Sequence, residues 1–156
     1  MKAAVFSDSH GNTALMEEAV RRTRPDVIIH LGDHDRDAMT LRQLFPEIPL
    51  YSVCGNCDIM PMSPARDLVP LGPVKAFITH GHLYGVKLGA VHSLVYAAQE
   101  QGASIALFGH THEPFNDQLG GVHLVNPGTA GKGYCPTYAI IEVFDNGGVY
   151  CSIKDL

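Results

Sequence analysis

Ala3-Ala4-Val5-Phe6-Ser7-Asp8-Ser9-His10-Gly11-Asn12 joins an apolar run to a loop of polar, metal-ligating side chains, and the same joint recurs four more times. Val27 to Leu31 runs into Gly32-Asp33, and Leu50 to Val53 into Cys54-Gly55-Asn56-Cys57-Asp58. Val74 to Thr79 leads to His80-Gly81-His82, and Ile105 to Phe108 to Gly109-His110-Thr111-His112. Each run reads as a strand. Between the early ones lie helical patterns: one begins at Asn12 or Thr13 and buries Leu15, Met16, Ala19 and Val20, with Pro25 closing the unit. The next uses Ala38, Leu41, Leu44 and Phe45 before Pro46 stops it. Strands alternating with amphipathic helices predict βαβ units and a parallel sheet.

The second half changes character. Leu88 to Gln101 carries Leu88, Val91, Leu94, Val95 and Ala98 at helical spacing. Gly120-Gly121 and Asn146-Gly147-Gly148 read as hairpin turns between β-rich segments. The expectation is an α/β fold with parallel strands early and antiparallel strands late, in two packed mixed β-sheets flanked by helices. No linker, repeat or low-complexity stretch divides residues 1–156, so one domain is expected.

Asp, Asn or His at the carboxyl end of successive strands falls on the edge where open α/β sheets bind ligands. The glycines there allow sharp bends. In Asp8-x-His10 and His110-x-His112 the two members stand two apart, which places both on one face of an extended segment. Mixed imidazole and carboxylate donors suit Mn, Fe, Co, Ni or Zn. Any one of these pairs is a weak signal. Their order and joint completeness are a strong one.

Composition removes other classes of function. The chain has 46% hydrophobic residues and no apolar run near the ~18 residues that a spanning helix needs. The apolar part of the amino terminus ends at Ser7-Asp8, too early for a signal peptide, so a cytoplasmic protein is expected. Net charge is −5 with 11 scattered basic residues, which predicts no stable nucleic-acid partner and no membrane partner. Two divalent cations would nearly cancel that charge. Self-association stays open.

Taken together, these blocks resemble the calcineurin-like metallophosphoesterase superfamily, and most closely its small YfcE-like phosphodiesterases. Asp8-Ser9-His10-Gly11-Asn12, His30-Leu31-Gly32-Asp33, Gly55-Asn56-Cys57-Asp58, Thr79-His80-Gly81-His82 and Gly109-His110-Thr111-His112 carry the likeness, with Asn126-Pro127-Gly128-Thr129 as a further match. The resemblance implies a four-layer α/β/β/α sandwich. It implies two divalent cations, Mn foremost with Ni, Co, Fe or Zn as alternatives. Asp8, His10 and His112 would hold one, Asn56, His80 and His110 the other, and Asp33 would bridge them. A small phosphodiester would then be hydrolysed by in-line attack of a metal-bridging hydroxide.

Asn12, Asn56 and His82 would meet the substrate's phosphate, with Asp33, Asn56 and His82 as the catalytic set. Asn12 reads equally well as a helix cap, and His82 equally well as an orienting residue behind a ligand. Larger relatives carry His where this chain has Cys57, so their usual proton donor is missing; His82, His34 or water would have to replace it. Two alternatives accompany the diesterase reading. One is a phosphomonoesterase. The other is a non-catalytic interaction scaffold, the use made of this fold in the retromer coat.

Other residues take plainer readings. Cys54-Gly-Asn-Cys57 matches a redox motif in form but sits inside a ligand loop, so reduced thiols are expected, Cys57 as a small buried hydrophobe. His30 reads as a hydrogen-bonded core residue, and His92 and His123 as structural. Asp35 and Asp37 read as acids at a helix start. Arg36, Arg66, Tyr84, Lys132 and Tyr134 are candidates for the rim.

Overall fold

The computed structural model describes residues 1–131, 133 and 135–156; the rim candidates Lys132 and Tyr134 lie outside them. In chain order the elements are β1 (Lys2–Phe6), α1 (Thr13–Thr23), β2 (Val27–His30), α2 (Asp35–Leu44), β3 (Leu50–Ser52), β4 (Arg66–Leu71) and β5 (Val74–Thr79). Then follow α3 (Val91–Glu100), β6 (Ile105–Leu107), β7 (Pro114–Leu119), β8 (Val122–Pro127), β9 (Thr137–Val143) and β10 (Val149–Asp155). One five-stranded sheet runs β10-β9-β1-β2-β3 and the other β4-β5-β6-β8-β7.

Strand alternation builds the layers. Successive side chains of a strand point to opposite faces, so Ala3 and Val5 enter one core while Ala4 and Phe6 enter another. The first core lies between the sheets, where Val5, Ile29 and Ile141 meet Leu71, Ile78 and Leu107. The second lies under α1 and α2, where Met16, Val20 and Leu41 cover Phe6 and Ile28. The third lies under α3, where Leu94, Val95 and Ala98 cover Phe77, Ala106 and Leu124. Strands buried on both faces explain the near-continuous apolar runs. The result is the expected α/β/β/α sandwich.

Three readings need correction. Both sheets are mixed, as expected, but β5, β6 and β8 are parallel neighbours, so parallel pairing extends into the late half, where antiparallel strands were expected. The third helix starts at Val91, because Gly85 and Gly89, both at positive φ, break the preceding chain into two 3₁₀ turns. Leu88 therefore stands 90% exposed, outside the helix face assigned to it. Leu44 is likewise exposed, while Phe45, just past the end of α2, is buried. Strand β4 was not visible in the sequence. It pairs antiparallel with β5 at the sheet's edge and carries Pro70, which an edge strand tolerates.

Candidate metal centre

The carboxyl ends of β1, β2, β3, β5 and β6 deliver the loops that carry all seven expected ligands. The loops are stitched together by their own backbone. Asp8 N–H donates to Gly32 O (3.0 Å), Val53 N–H to His30 O (3.0 Å) and Gly109 N–H to His80 O (3.0 Å). Asp8, His10, Asp33, His34, His110 and His112 all adopt positive φ, between 46° and 81°. Left-handed backbone is uncommon outside glycine, although Asp and His enter it more readily than most, and it costs about 1–3 kcal/mol where a site demands it.

Two clusters form around one carboxylate. Ligand atoms of Asp8, His10, Asp33 and His112 all lie within 4.8 Å of one another. Asp33 Oδ2 is 4.0 Å from His10 Nε2, whereas Asp33 Oδ1 is 3.4 Å from His80 Nε2. His80 Nε2 in turn is 3.2 Å from Asn56 Oδ1, and the His80 and His110 ring centroids are 5.0 Å apart. The structure thus brings Asp8, His10, Asp33, Asn56, His80, His110 and His112 into one continuous cluster.

The donor set fits a cation better than a hydrogen-bond network. Asp8 is fully buried, and its Oδ2 accepts from Ser7 Oγ (2.5 Å) and His110 N–H (3.1 Å). Its Oδ1 has no hydrogen-bond partner among the described residues, and His112 Nε2 lies 3.1 Å away. A buried carboxylate oxygen left so is costly unless something positive completes it. His80 makes the same point. Its Nδ1 is 2.8 Å from the Leu31 carbonyl, an acceptor only, so Nδ1 carries the proton. With Nδ1 donating to Leu31, Nε2 faces two oxygens, Asn56 Oδ1 and Asp33 Oδ1. Three metal-ligating atoms gathered in one space suit a cation.

Protonation states agree. Burial alone would push Asp33 up, but the Cys57 N–H donated to Oδ1 (2.9 Å) and neighbouring His80 hold it below the ordinary carboxylate range. Burial, and then His80, push His82 and His110 down, which keeps both imidazoles neutral. His82 Nδ1 is buried with no partner among the described residues, and the His82 ring centroid is 5.4 Å from that of His80.

Several supports escaped the sequence reading. Asp58 accepts the backbone N–H groups of Asp33 (3.1 Å), His34 (2.7 Å), Asp35 (2.9 Å) and Gly55 (2.7 Å), clamping the β2 loop to the β3 loop. Asp37 sits in the first turn of α2 but reaches back to Ser9 Oγ (2.7 Å) and Gly11 N–H (2.8 Å). That same Ser9 Oγ is 2.9 Å from Nε2 of His30, whose core reading holds. Asp35 accepts from Met62 N–H (2.7 Å) and Ser63 N–H (3.2 Å). An acid two residues past a ligand, in a loop rather than a helix, was the available signal for Asp58.

Two glycines owe their place to closeness rather than bending. A Cβ on Gly55 would collide with Asp33 Oδ1, and one on Gly109 with Ser7 Oγ. Asn12 does not cap α1; its Nδ2 donates to Ala130 O (2.9 Å) and ties the first loop to the last. His34 is exposed, 5.5 Å ring to ring from His10. Arg66 holds Tyr84 Oη (3.3 Å). His92 is exposed on α3, and His123 is half-buried on β8.

Cys57 also needs correction: it is exposed, not a buried hydrophobe. Its backbone N–H serves Asp33, and its thiol lies against the same carboxylate, whose hydrogen bond, with burial, pushes the thiol pKa up. A protonated thiol is a poor nucleophile. Cys57→Ser is therefore expected to keep most activity. Asn56→Ala should lower it by about 10- to 100-fold or more, at least what losing the support of a ligand costs. Parallel kcat and metal-content measurements check both; loss of turnover in Cys57→Ser with metal still bound would put the thiol in the chemistry.

A two-sheet sandwich with Asp, Asn and His side chains gathered at the carboxyl edge of its strands has the architecture of a metallophosphoesterase. Residues 1–146 match the model of the calcineurin-like phosphoesterase superfamily domain, and the chain belongs to that superfamily. It is 33% identical over 132 residues to the probable metallophosphoesterase YsnB of Bacillus subtilis, covering 83% of this chain and 75% of YsnB. A predicted phosphoesterase from Streptococcus pneumoniae superposes with a TM-score of 0.78 at 28% identity, covering 99% of this chain and 97% of its own. The zinc complex of Vps29 from Entamoeba histolytica shares the fold, with a TM-score of 0.75, 20% identity and 99% coverage of each chain. Among the described residues no helix is long and apolar enough to cross a membrane.

Proposed function

We propose that this phosphoesterase is a phosphodiesterase whose centre takes two divalent cations, Mn foremost, with Asp33 shared between them. The observation that carries this reading is the Asp33 carboxylate, one oxygen facing His10 and the other His80. Asp8, His10 and His112 would complete one set, and Asn56, His80 and His110 the other. Bound there, two cations would acidify a water and neutralise charge on the phosphate through an in-line displacement.

The chain's own groups supply the rest. His82, its pKa pushed down by burial and its Nδ1 without a partner among the described residues, can donate a ring N–H hydrogen bond to a phosphate oxygen but is no proton donor to the leaving group. Asn56 Nδ2 is exposed and donates to Cys57 Sγ (3.4 Å). Asn12 is better suited to tethering loops, since its amide nitrogen is held by Ala130. The thiol at position 57, its pKa raised, is no substitute for an imidazolium acid. Substrates whose leaving group departs without a proton are thereby favoured.

Matched aryl diesters and monoesters, compared by kcat/KM on metal-loaded protein, test this. The diester is expected to be faster. A clear monoester preference contradicts the reading, and two bound cations with no turnover of either ester would favour a scaffold instead.

A further inference from the structure

The loop after Asp58 is held firmly yet exposes apolar side chains. Its backbone is anchored by Asp35 at Met62 N–H and Ser63 N–H and by Cys54 N–H on Pro64 O (2.9 Å), and the Ser52 and Ser63 hydroxyls meet at 2.8 Å. Pro61 and Pro64 stiffen it further. Ile59, Met60 and Met62 nevertheless stand 87%, 86% and 70% exposed. Met60 sits at φ 57°, a conformation unfavourable for an unbranched apolar residue that has no local hydrogen bond to offer. An anchored loop that presents large apolar groups to water points to a binding surface.

That surface adjoins the metal centre. Ile59 and Met60 line a cavity of about 320 Å³ together with His34, Arg36 and Cys57. His34 follows Asp33, and Cys57 follows Asn56, so the cavity opens beside both loops that carry the shared carboxylate and its neighbour. The cavity's two acids are already engaged, Asp58 by four backbone N–H groups and Asp35 by the 62–63 backbone. Arg36 is left as its exposed charge.

We infer that this shelf receives an aromatic substituent of the substrate, so that the substrate class is a phosphodiester carrying at least one flat aromatic group. The inference rests on the phosphodiesterase reading above. A diester bound at the centre must project an organic group over the rim. Thioether sulfur is attracted to aromatic ring edges, a guanidinium to ring faces, and apolar burial strengthens both. An alkyl group would use only the last of these.

Diphenylphosphinate and dimethylphosphinate present the same anionic PO₂ group and cannot be hydrolysed, so binding is read without turnover. Titration calorimetry on Mn-loaded protein should give a Kd at least about tenfold lower for the diphenyl compound, equivalent to about 1.4 kcal/mol. In the Ile59→Ser/Met60→Ser variant the ratio should fall below about threefold, with the dimethyl Kd and the metal content unchanged. Equal affinities in the wild type, or a ratio that survives the double substitution, would overturn the shelf while leaving the phosphodiester site standing. Binding of neither compound would overturn both.

Discussion

Replacing Asp33 with alanine is expected to abolish phosphoesterase activity, by at least about 10³-fold, well beyond the 10- to 100-fold that loss of an outer support costs. Asp33 is 2% exposed, its two oxygens face different histidines, and Cys57 N–H fixes its orientation. No other carboxylate in the cluster faces both ways: Asp8 Oδ2 is taken by Ser7 and the His110 N–H, leaving only Oδ1 toward the site. The variant should bind fewer than two cations at saturating Mn while its circular dichroism stays native. Normal metal content with normal kcat would show that the shared carboxylate is dispensable.

Asp58→Ala is expected to have the second largest effect, through geometry rather than ligation. Four backbone N–H groups from two loops lose their acceptor. Each orphaned donor costs about 1–3 kcal/mol when buried, less where water can reach it, so about 3–5 kcal/mol in total is reasonable. For a domain of this size that lowers Tm by roughly 10 °C. Asp33 and His34, both at positive φ, are held in that conformation partly by these bonds. Metal affinity should therefore fall along with stability, and excess Mn should restore part of the Tm. Asp58→Asn, which keeps one oxygen acceptor, should fall between the two. An unchanged Tm in Asp58→Ala would mean that the loops are locked by other contacts.

The residues that gather at the candidate centre were legible because strand and loop alternate so regularly. Val5-Phe6 before Asp8, or Ile78-Thr79 before His80, announces both a doubly buried strand and its carboxyl edge. The edge strand β4 was not legible: Pro64, Pro70 and scattered charges hide its pattern, and only pairing with β5 makes it a strand. Leu88 falls outside the helix face because the apolar spacing runs across Gly89, which ends a 3₁₀ turn before α3 begins. The clamp by Asp58 and the reach of Asp37 to Ser9 are long-range bonds to the backbone or to a hydroxyl. Side-chain periodicity carries no trace of them. Cys57 was misplaced for a related reason: a small apolar side chain suggests burial, but its backbone is what the site uses.

The count of cations per chain bears on the central claim most directly. Metal-stripped protein, saturated with Mn, desalted and analysed for metal against protein concentration, is expected to hold two ions per chain. Anomalous scattering from crystals of that protein should place them about 3.5–4 Å apart, one beside His10 and His112 and the other beside His80 and His110. A single ion per chain at saturation, or two ions far apart, would contradict the shared role of Asp33.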